Sequence, residues 1–211
     1  MPAVLTAQEG DFQEQGKSAE IAEAFVPDAL LDAALVARAQ TGDLAAMETL
    51  FLRHEVAVFR LAFRILHCAD DADDVRQETF VRVWASLGKF RGDSQFRTYT
   101  LAVCSNLCRD RLRESKRRPV MLYGLAPGET HVSANTDPQA RMERSAENER
   151  VRRVIESLPP LHRETLHLRY VEDLSAEEIA AVTNCSRIAV SVRLFRARKA
   201  FEKAFRADGL T

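Results

Sequence analysis

Apolar side chains recur along this chain at spacings of three and four residues, and nowhere alternate as a half-buried strand requires. From Leu44, the positions Met47, Leu50, Phe51, Val58, Leu61 and Ile65 keep a helical period to about Leu66. Upstream, Leu30 to Gln40 is a shorter periodic run stopped by "TGD", where Gly42 suits a helix C-terminus and Asp43 can cap the next helix. Asp70 or Asp71 can cap a third helix, in which Phe80, Val83, Trp84 and Leu87 fall at i, i+3, i+4 and i+7 and Gly88 ends it. That stripe predicts a place in or near the core for Trp84, the only tryptophan. After "KFRGD", Ser94 can cap a fourth helix with Phe96, Tyr99, Val103 and Leu107 on one face, running out before Pro119.

Residues 119–138 carry Pro, Gly, Ser, Asn and Thr without periodicity and read as a flexible linker. A helix bearing Val151, Val154, Ile155 and Leu158 follows, broken by Pro159 and Pro160, and another runs from Leu161 to about Val171. Residues 1–27 are acidic and poor in large apolar side chains, which predicts a mobile tail, with a short helix open to Ser18–Phe25. The fold class is therefore all-α: two small helical domains, 28–118 and 139–211, joined by that linker.

The last segment has the grammar of a helix-turn-helix. Ser175 and Glu178 form an S-x-x-E capping box ahead of Ile179 and Val182. Asn184 accepts a left-handed backbone in the turn, and Ser186 can cap the final helix. There Val190, Leu194, Ala197, Phe201 and Phe205 face inward, which leaves Arg187, Ser191, Val192, Phe195 and Arg196 outward, flanked by Arg193, Arg198 and Lys199. Such a helix can enter a major groove while its basic flanks hold phosphates.

Charge sharpens this picture. The formal net charge is only -1, yet residues 89–118 hold nine bases against three acids and residues 187–211 hold seven against two. Residues 1–34 hold seven acids and one base, so the neutral total hides two basic blocks. No apolar run is long enough to span a membrane and no secretory leader is visible, which predicts a cytoplasmic protein without membrane insertion. Cys68, Cys104, Cys108 and Cys185 show no paired ligand spacing and read as free thiols, with no metal or cofactor implied. Catalytic signatures such as a phosphate-cradling Gly-rich loop or a nucleophile elbow are missing, so no enzyme is expected.

Between Leu30 and Phe205 lie the segments "LVARAQTGDLAAMETLF", "DADDVRQETFVRVWASLGKFRGDSQFRTYTLAVCSNLCRDRLR", "DPQARMERSAENERVRRVIESLPPLHRETLHLRYVEDLSAEEIAAV" and "VRLFRARKAF". In order and spacing the chain resembles bacterial RNA polymerase sigma factors of the extracytoplasmic-function group. The resemblance implies that 28–118 is a region 2 domain whose acidic helix docks on core polymerase through Asp74, Gln77, Glu78 and Phe80. Arg76 stands where the family more often has an apolar residue. It further implies that Phe90, Arg91, Gly92, Asp93, Ser94, Gln95 and Asn106, with Asp110, capture an unstacked base of the minus-ten element. Arg109, Arg111 and Arg113 would hold the DNA backbone. The region 4 domain would read the minus-thirty-five element through Arg187, Ser191, Val192, Arg193, Phe195 and Arg196. Ser191 and Val192 depart from the family's usual Lys or Arg followed by Ser, which shifts the expected load to Arg187 or Arg196. Core RNA polymerase, promoter DNA and an anti-sigma factor are the implied partners, in a stress-response role.

Two other classes fit parts of the chain. A helix-turn-helix regulator would bind duplex DNA without polymerase and would not need the acidic helix. A thiol or metal sensor would rest on the four cysteines alone.

Overall fold

The computed structural model describes residues 28–117 and 138–208; the expectations for residues 1–27 and nearly all of the 119–138 segment lie outside the described residues. Helix α1 (Asp28–Gln40) stops where Gly42 takes φ 95°. The Gly42 amide donates to the Ala39 carbonyl at 3.0 Å and the Asp43 amide to that of Arg38 at 3.2 Å, which satisfies carbonyls the helix end leaves open. Asp43 then starts α2 (Leu44–Leu66), accepting from the Ala46 amide at 3.1 Å and from Arg38 at 2.7 Å; these donors hold its carboxyl below the usual range.

Helix α2 leaves through His67, left-handed at φ 57°, and α3 (Ala69–Ser86) begins almost at once. The cap position falls on Cys68, which makes no side-chain cap bond, and not on Asp70 or Asp71. The two-residue exit from α2 leaves no room for a later start, so both aspartates sit in the first turn, where the positive helix end favours them. One 3-10 turn (Leu87–Lys89) carries the chain toward α4 (Phe96–Arg117). The Tyr99 amide closes on the Gln95 carbonyl at 3.0 Å, so the residue ahead of α4 is Gln95 and Ser94 lies one step too early to cap it.

The C-terminal unit comprises α5 (Pro138–Ser157), α6 (Pro160–Tyr170), α7 (Ala176–Thr183) and α8 (Arg187–Asp208). Pro160 opens α6, where its missing N–H costs nothing. The capping box forms, with the Glu178 amide 3.2 Å from Ser175 Oγ and the Ser175 amide 2.8 Å from Glu178 Oε2. Asn184 is left-handed at φ 50°, and Ser186 Oγ accepts the Ala189 amide at 3.2 Å.

These two units share a core. Leu61, Ile65, Leu101, Cys104, Leu107 and Cys108 lie in one buried cluster with Leu168, Leu174, Ile179 and Val182. Helix α4 is sandwiched between α2 and α3 on one side and α7 on the other, while α6 packs on α2. For that reason the deepest α4 residues include Leu101, Cys104 and Cys108, and Tyr99 and Val103 of the expected face are only half-buried. Each fully buried Leu or Val contributes about 1.5–3 kcal/mol, so the cluster dominates the contact between units.

A polar seam borders it. Arg97 bonds the Glu172 carboxylate and donates to the Glu172 carbonyl at 3.1 Å; Ser105 bonds Glu164; Arg109 donates to the Thr183 carbonyl at 2.7 Å. Burial pushes the Glu172 carboxyl up, but His167 and Arg97 outweigh it and leave the group below its ordinary range. Burial wins at Glu164, whose carboxyl stays above the ordinary range despite Ser105, Arg109 and Arg193.

Candidate polymerase and nucleic-acid interfaces

Helix α3 presents its acids outward as the sequence suggests, but its aromatic residues are arranged differently. Asp74 and Gln77 are exposed and Glu78 is half-exposed. Arg111 of α4 lies 3.3 Å from Asp74, Gln77 donates to Asp73 at 2.8 Å, and Arg82 reaches Glu78 at 2.6 Å. Phe80 is only 6% exposed, its ring centroid 4.4 Å from that of Phe51. The internal stripe therefore claims Phe80, and its ring is not offered at the surface. Trp84, expected in or near the core, is instead 42% exposed, because Val83 and Leu87 take the buried side of the same helical face. Asp74, Gln77, Val81 and Trp84, spaced three, four and three apart, make one exposed stripe. Val81 and Trp84 were missed because spacing alone does not say which edge of an apolar stripe a neighbouring helix covers. Arg76 pairs with Asp73 at 2.7 Å and with Glu55 at 3.2 Å, tying α3 to α2.

The loop before α4 and Asn106 do not converge. Phe90 is half-buried, its centroid 5.0 Å from Tyr99 and 6.1 Å from Phe96, and its carbonyl accepts from Gln40 at 2.8 Å. Arg91, Gly92, Asp93, Ser94 and Gln95 are exposed, with Gly92 at φ 78°. Beneath them a cavity of about 340 Å³ opens between the loop and Val36, Ala37 and Gln40 of α1. Asn106 lies ten residues beyond Phe96, about 15 Å along α4. Its side-chain oxygen accepts from Arg109 at 2.7 Å, and Arg109 also reaches the Val182 carbonyl at 3.3 Å. Asp110 is exposed and pairs with Arg113 at 3.1 Å.

Helix α8 packs inward through Val190, Leu194 and Ala197, all buried, with the Phe201 and Phe205 rings stacked at 5.6 Å. Ser191, Val192, Phe195 and Arg196 are exposed, as is Ile188, which the sequence reading passed over. Arg187 pairs with Glu177 at 2.8 Å. Arg193 does not join the outward face: it is half-buried, with Nη1 enclosed and without a hydrogen-bond partner, near enough to Glu164 to draw that carboxyl down. The Lys199 ammonium lies 4.9 Å from the Phe195 ring centroid, and Arg198 donates to the Tyr170 hydroxyl at 2.7 Å.

Cys104 and Cys108 are buried side by side, and the Cys104 thiol is pushed well up, by Cys108 first and then by burial, the reverse of what a reactive thiolate needs. Among the described residues no group of three His, Cys, Asp or Glu side chains is placed to hold a metal, and no helix is long and apolar enough to cross a membrane. A second cavity, of about 390 Å³, is lined by Arg64, Val151, Ile155, Leu166, Arg198 and Phe201 among others.

Comparison with known proteins gives a consistent result. Residues 50–118 match the Sigma-70 region 2 family and residues 148–201 match the Sigma-70, region 4 family. The RNA polymerase sigma-H factor of Pseudomonas aeruginosa is 36% identical over 179 residues, 82% of this chain and 93% of that protein. The ECF RNA polymerase sigma-E factor of Escherichia coli K12 is 35% identical over the same shares. Among solved structures, CnrH in complex with the cytosolic domain of CnrY aligns with TM-score 0.60 and 29% identity, covering 84% of this chain and 99% of that one. The sigma factor RpoE in complex with the anti-sigma factor NepR from Bartonella quintana shares the fold at TM-score 0.57 and 19% identity, over 76% and 97%.

Proposed function

The chain belongs to the extracytoplasmic-function group of sigma-70-like RNA polymerase sigma factors, and from that membership we propose how its surfaces divide the work of promoter recognition. A sigma factor binds core polymerase and gives it promoter choice, while the polymerase performs the phosphodiester chemistry. The observation that carries the assignment is the ordered pair of region 2 and region 4 matches on one chain. A regulator binding DNA alone has no use for the first.

In region 2, the stripe of Asp74, Gln77, Val81 and Trp84, with Glu78 beside it, is the polymerase-docking face. The carboxylates steer and set register against basic groups, and the tryptophan supplies the apolar anchor. Phe80 supports that face from below through Phe51. The exposed loop Arg91–Gln95, anchored by Phe90, and the separate Asn106–Arg109–Asp110 patch face the minus-ten strand. An amide on a base edge and basic groups on the backbone can offset the few kcal/mol that unstacking costs. Helix α8 reads the minus-thirty-five element, with Arg196 on base edges and Arg198 and Lys199 toward phosphates.

Because Arg109 is bonded to carbonyls of α7 and Arg193 is enclosed by the seam, the closed arrangement withholds two DNA-facing cations. Promoter engagement requires the units to part. An anti-sigma factor is the further partner we assign, on the resemblance, and the cytoplasm is the compartment, where core polymerase works. The test is transcription: purified protein added to sigma-free core polymerase should program a transcript from a promoter fragment. Binding of duplex DNA without any ability to program core enzyme would sink the assignment in favour of the regulator.

A further inference from the structure

The outward face of α8 is more apolar than its sequence suggests at first sight. Opposite the buried Val190, Leu194 and Ala197 stand Ile188, Val192 and Phe195 at i, i+4 and i+7, exposed by 77%, 42% and 58%. Ile188 is the most exposed large apolar side chain among the described residues. The polar groups near the helix start have local partners: Arg187, still exposed, pairs with Glu177 at 2.8 Å, and the Ser191 hydroxyl donates to the Arg187 carbonyl at 3.2 Å. Arg193 is half-buried, with Nη1 enclosed, and acts electrostatically on Glu164. Single exposed apolar residues are ordinary, but three in one row form a patch that calls for an occupant.

Charge selects that occupant. The row is bordered by Arg196 and Lys199, both exposed, and Lys199 lies over the Phe195 ring at 4.9 Å. Cations lining an apolar row at a helix N-terminal half suit a polyanion that carries apolar groups in a groove. In duplex DNA those groups are the C5 methyls of thymine, displayed only in the major groove. We infer that Ile188 and Val192 are specificity determinants that read thymine methyl groups in the minus-thirty-five element. The inference rests on the reading of α8 as the promoter-reading helix. It assigns discrimination to apolar contact, with Arg196 and the surface-paired Arg187 as the polar groups beside it.

Deoxyuridine differs from thymidine by that methyl alone. The minus-thirty-five preference of the reconstituted holoenzyme is first selected from a randomised duplex, and each thymine in the selected element is then replaced by deoxyuridine. For the native protein, one or two of these replacements should raise the half-saturating holoenzyme concentration about fourfold each, the worth of one buried methyl-sized group. For Ile188→Ala or Val192→Ala the thymine-to-uracil ratio at the corresponding position should fall to about one. Ile188 is exposed enough that truncation leaves the fold intact, which a melting curve checks. A selected element without thymine, native protein indifferent to every replacement, or variants that keep the full ratio would each overturn the inference while leaving the sigma assignment in place. Transcription independent of the minus-thirty-five sequence would instead remove the reading of α8, and the inference with it.

Discussion

Arg163 offers the sharpest test of how the two units are held. The residue is 9% exposed, and its guanidinium ends two helices at once. Toward region 2 it donates to the Arg64 carbonyl at 3.0 Å and the Ile65 carbonyl at 3.1 Å, closing the C-terminus of α2. Toward its own unit it donates to the Glu156 carbonyl at 3.1 Å and the Leu158 carbonyl at 2.7 Å, closing α5. Burial, with Arg64 nearby, brings its pKa down to about 10, so the group stays cationic at neutral pH and meets two negative helix ends. Arg163→Met keeps most of the length and removes all four bonds. Charged hydrogen bonds are worth about 1.5–3 kcal/mol each, but four sharing one group are not additive and water will re-solvate some carbonyls. A total loss of about 3–5 kcal/mol is the reasonable figure. Two of the four bonds cross between units, so about 2 kcal/mol should come off closure, a shift of about 30-fold toward the open form. Amide hydrogen exchange reads this locally. Exchange on α7 and on the facing half of α4 should accelerate about 30-fold, while amides of α2 that face α1 change little. Lower thermal stability with unchanged exchange on α4 and α7 would refute the interdomain half of the reasoning; no change in either would refute it entirely.

Phe80→Ala should cost about 3–5 kcal/mol of stability, as a buried aromatic does, whereas Trp84→Ala should leave melting nearly unchanged and weaken core polymerase binding; the reverse pattern would restore Phe80 to the docking face. Asn106→Ala should spare polymerase binding and impair promoter opening, measured by permanganate reactivity of the melted strand, and equal loss of both would contradict its role. Glu164 carries a raised carboxyl pKa, so its stability contribution is complete below the ordinary value of 4.5 and is lost as pH rises through the folded value. Glu164→Gln should therefore melt with the native protein at pH 4 and above it at pH 8; an advantage confined to acid would show that sign to be wrong.

The features legible in the sequence are those made within a few residues of themselves. The stop at Gly42, the Ser175–Glu178 box, the left-handed Asn184 and the Ser186 cap are all closed by bonds spanning five residues or fewer. Helical period was enough to find every described helix and the inward row of α8, since a buried stripe repeats with the backbone turn. The order of motifs was enough to suggest the family.

What the tertiary structure decided depends on which neighbour covers which edge. Phe80 and Trp84 share a stripe, yet the packing of α2 on α3 puts Phe51 over one and leaves the other to solvent. Arg187 and Arg193 both look like outward basic residues in a helical projection; Arg187 is exposed and pairs with Glu177 at the surface, whereas Arg193 is half-buried near Glu164. The bonds that withhold Arg109 and bridge Arg163 join residues 73 to 99 positions apart. No local rule reaches that far: the sequence determined the helices and their shortest-range caps, whereas the packing of helices within each unit, and the closure of one unit on the other, determined which of their charged and aromatic side chains remain free to meet a partner.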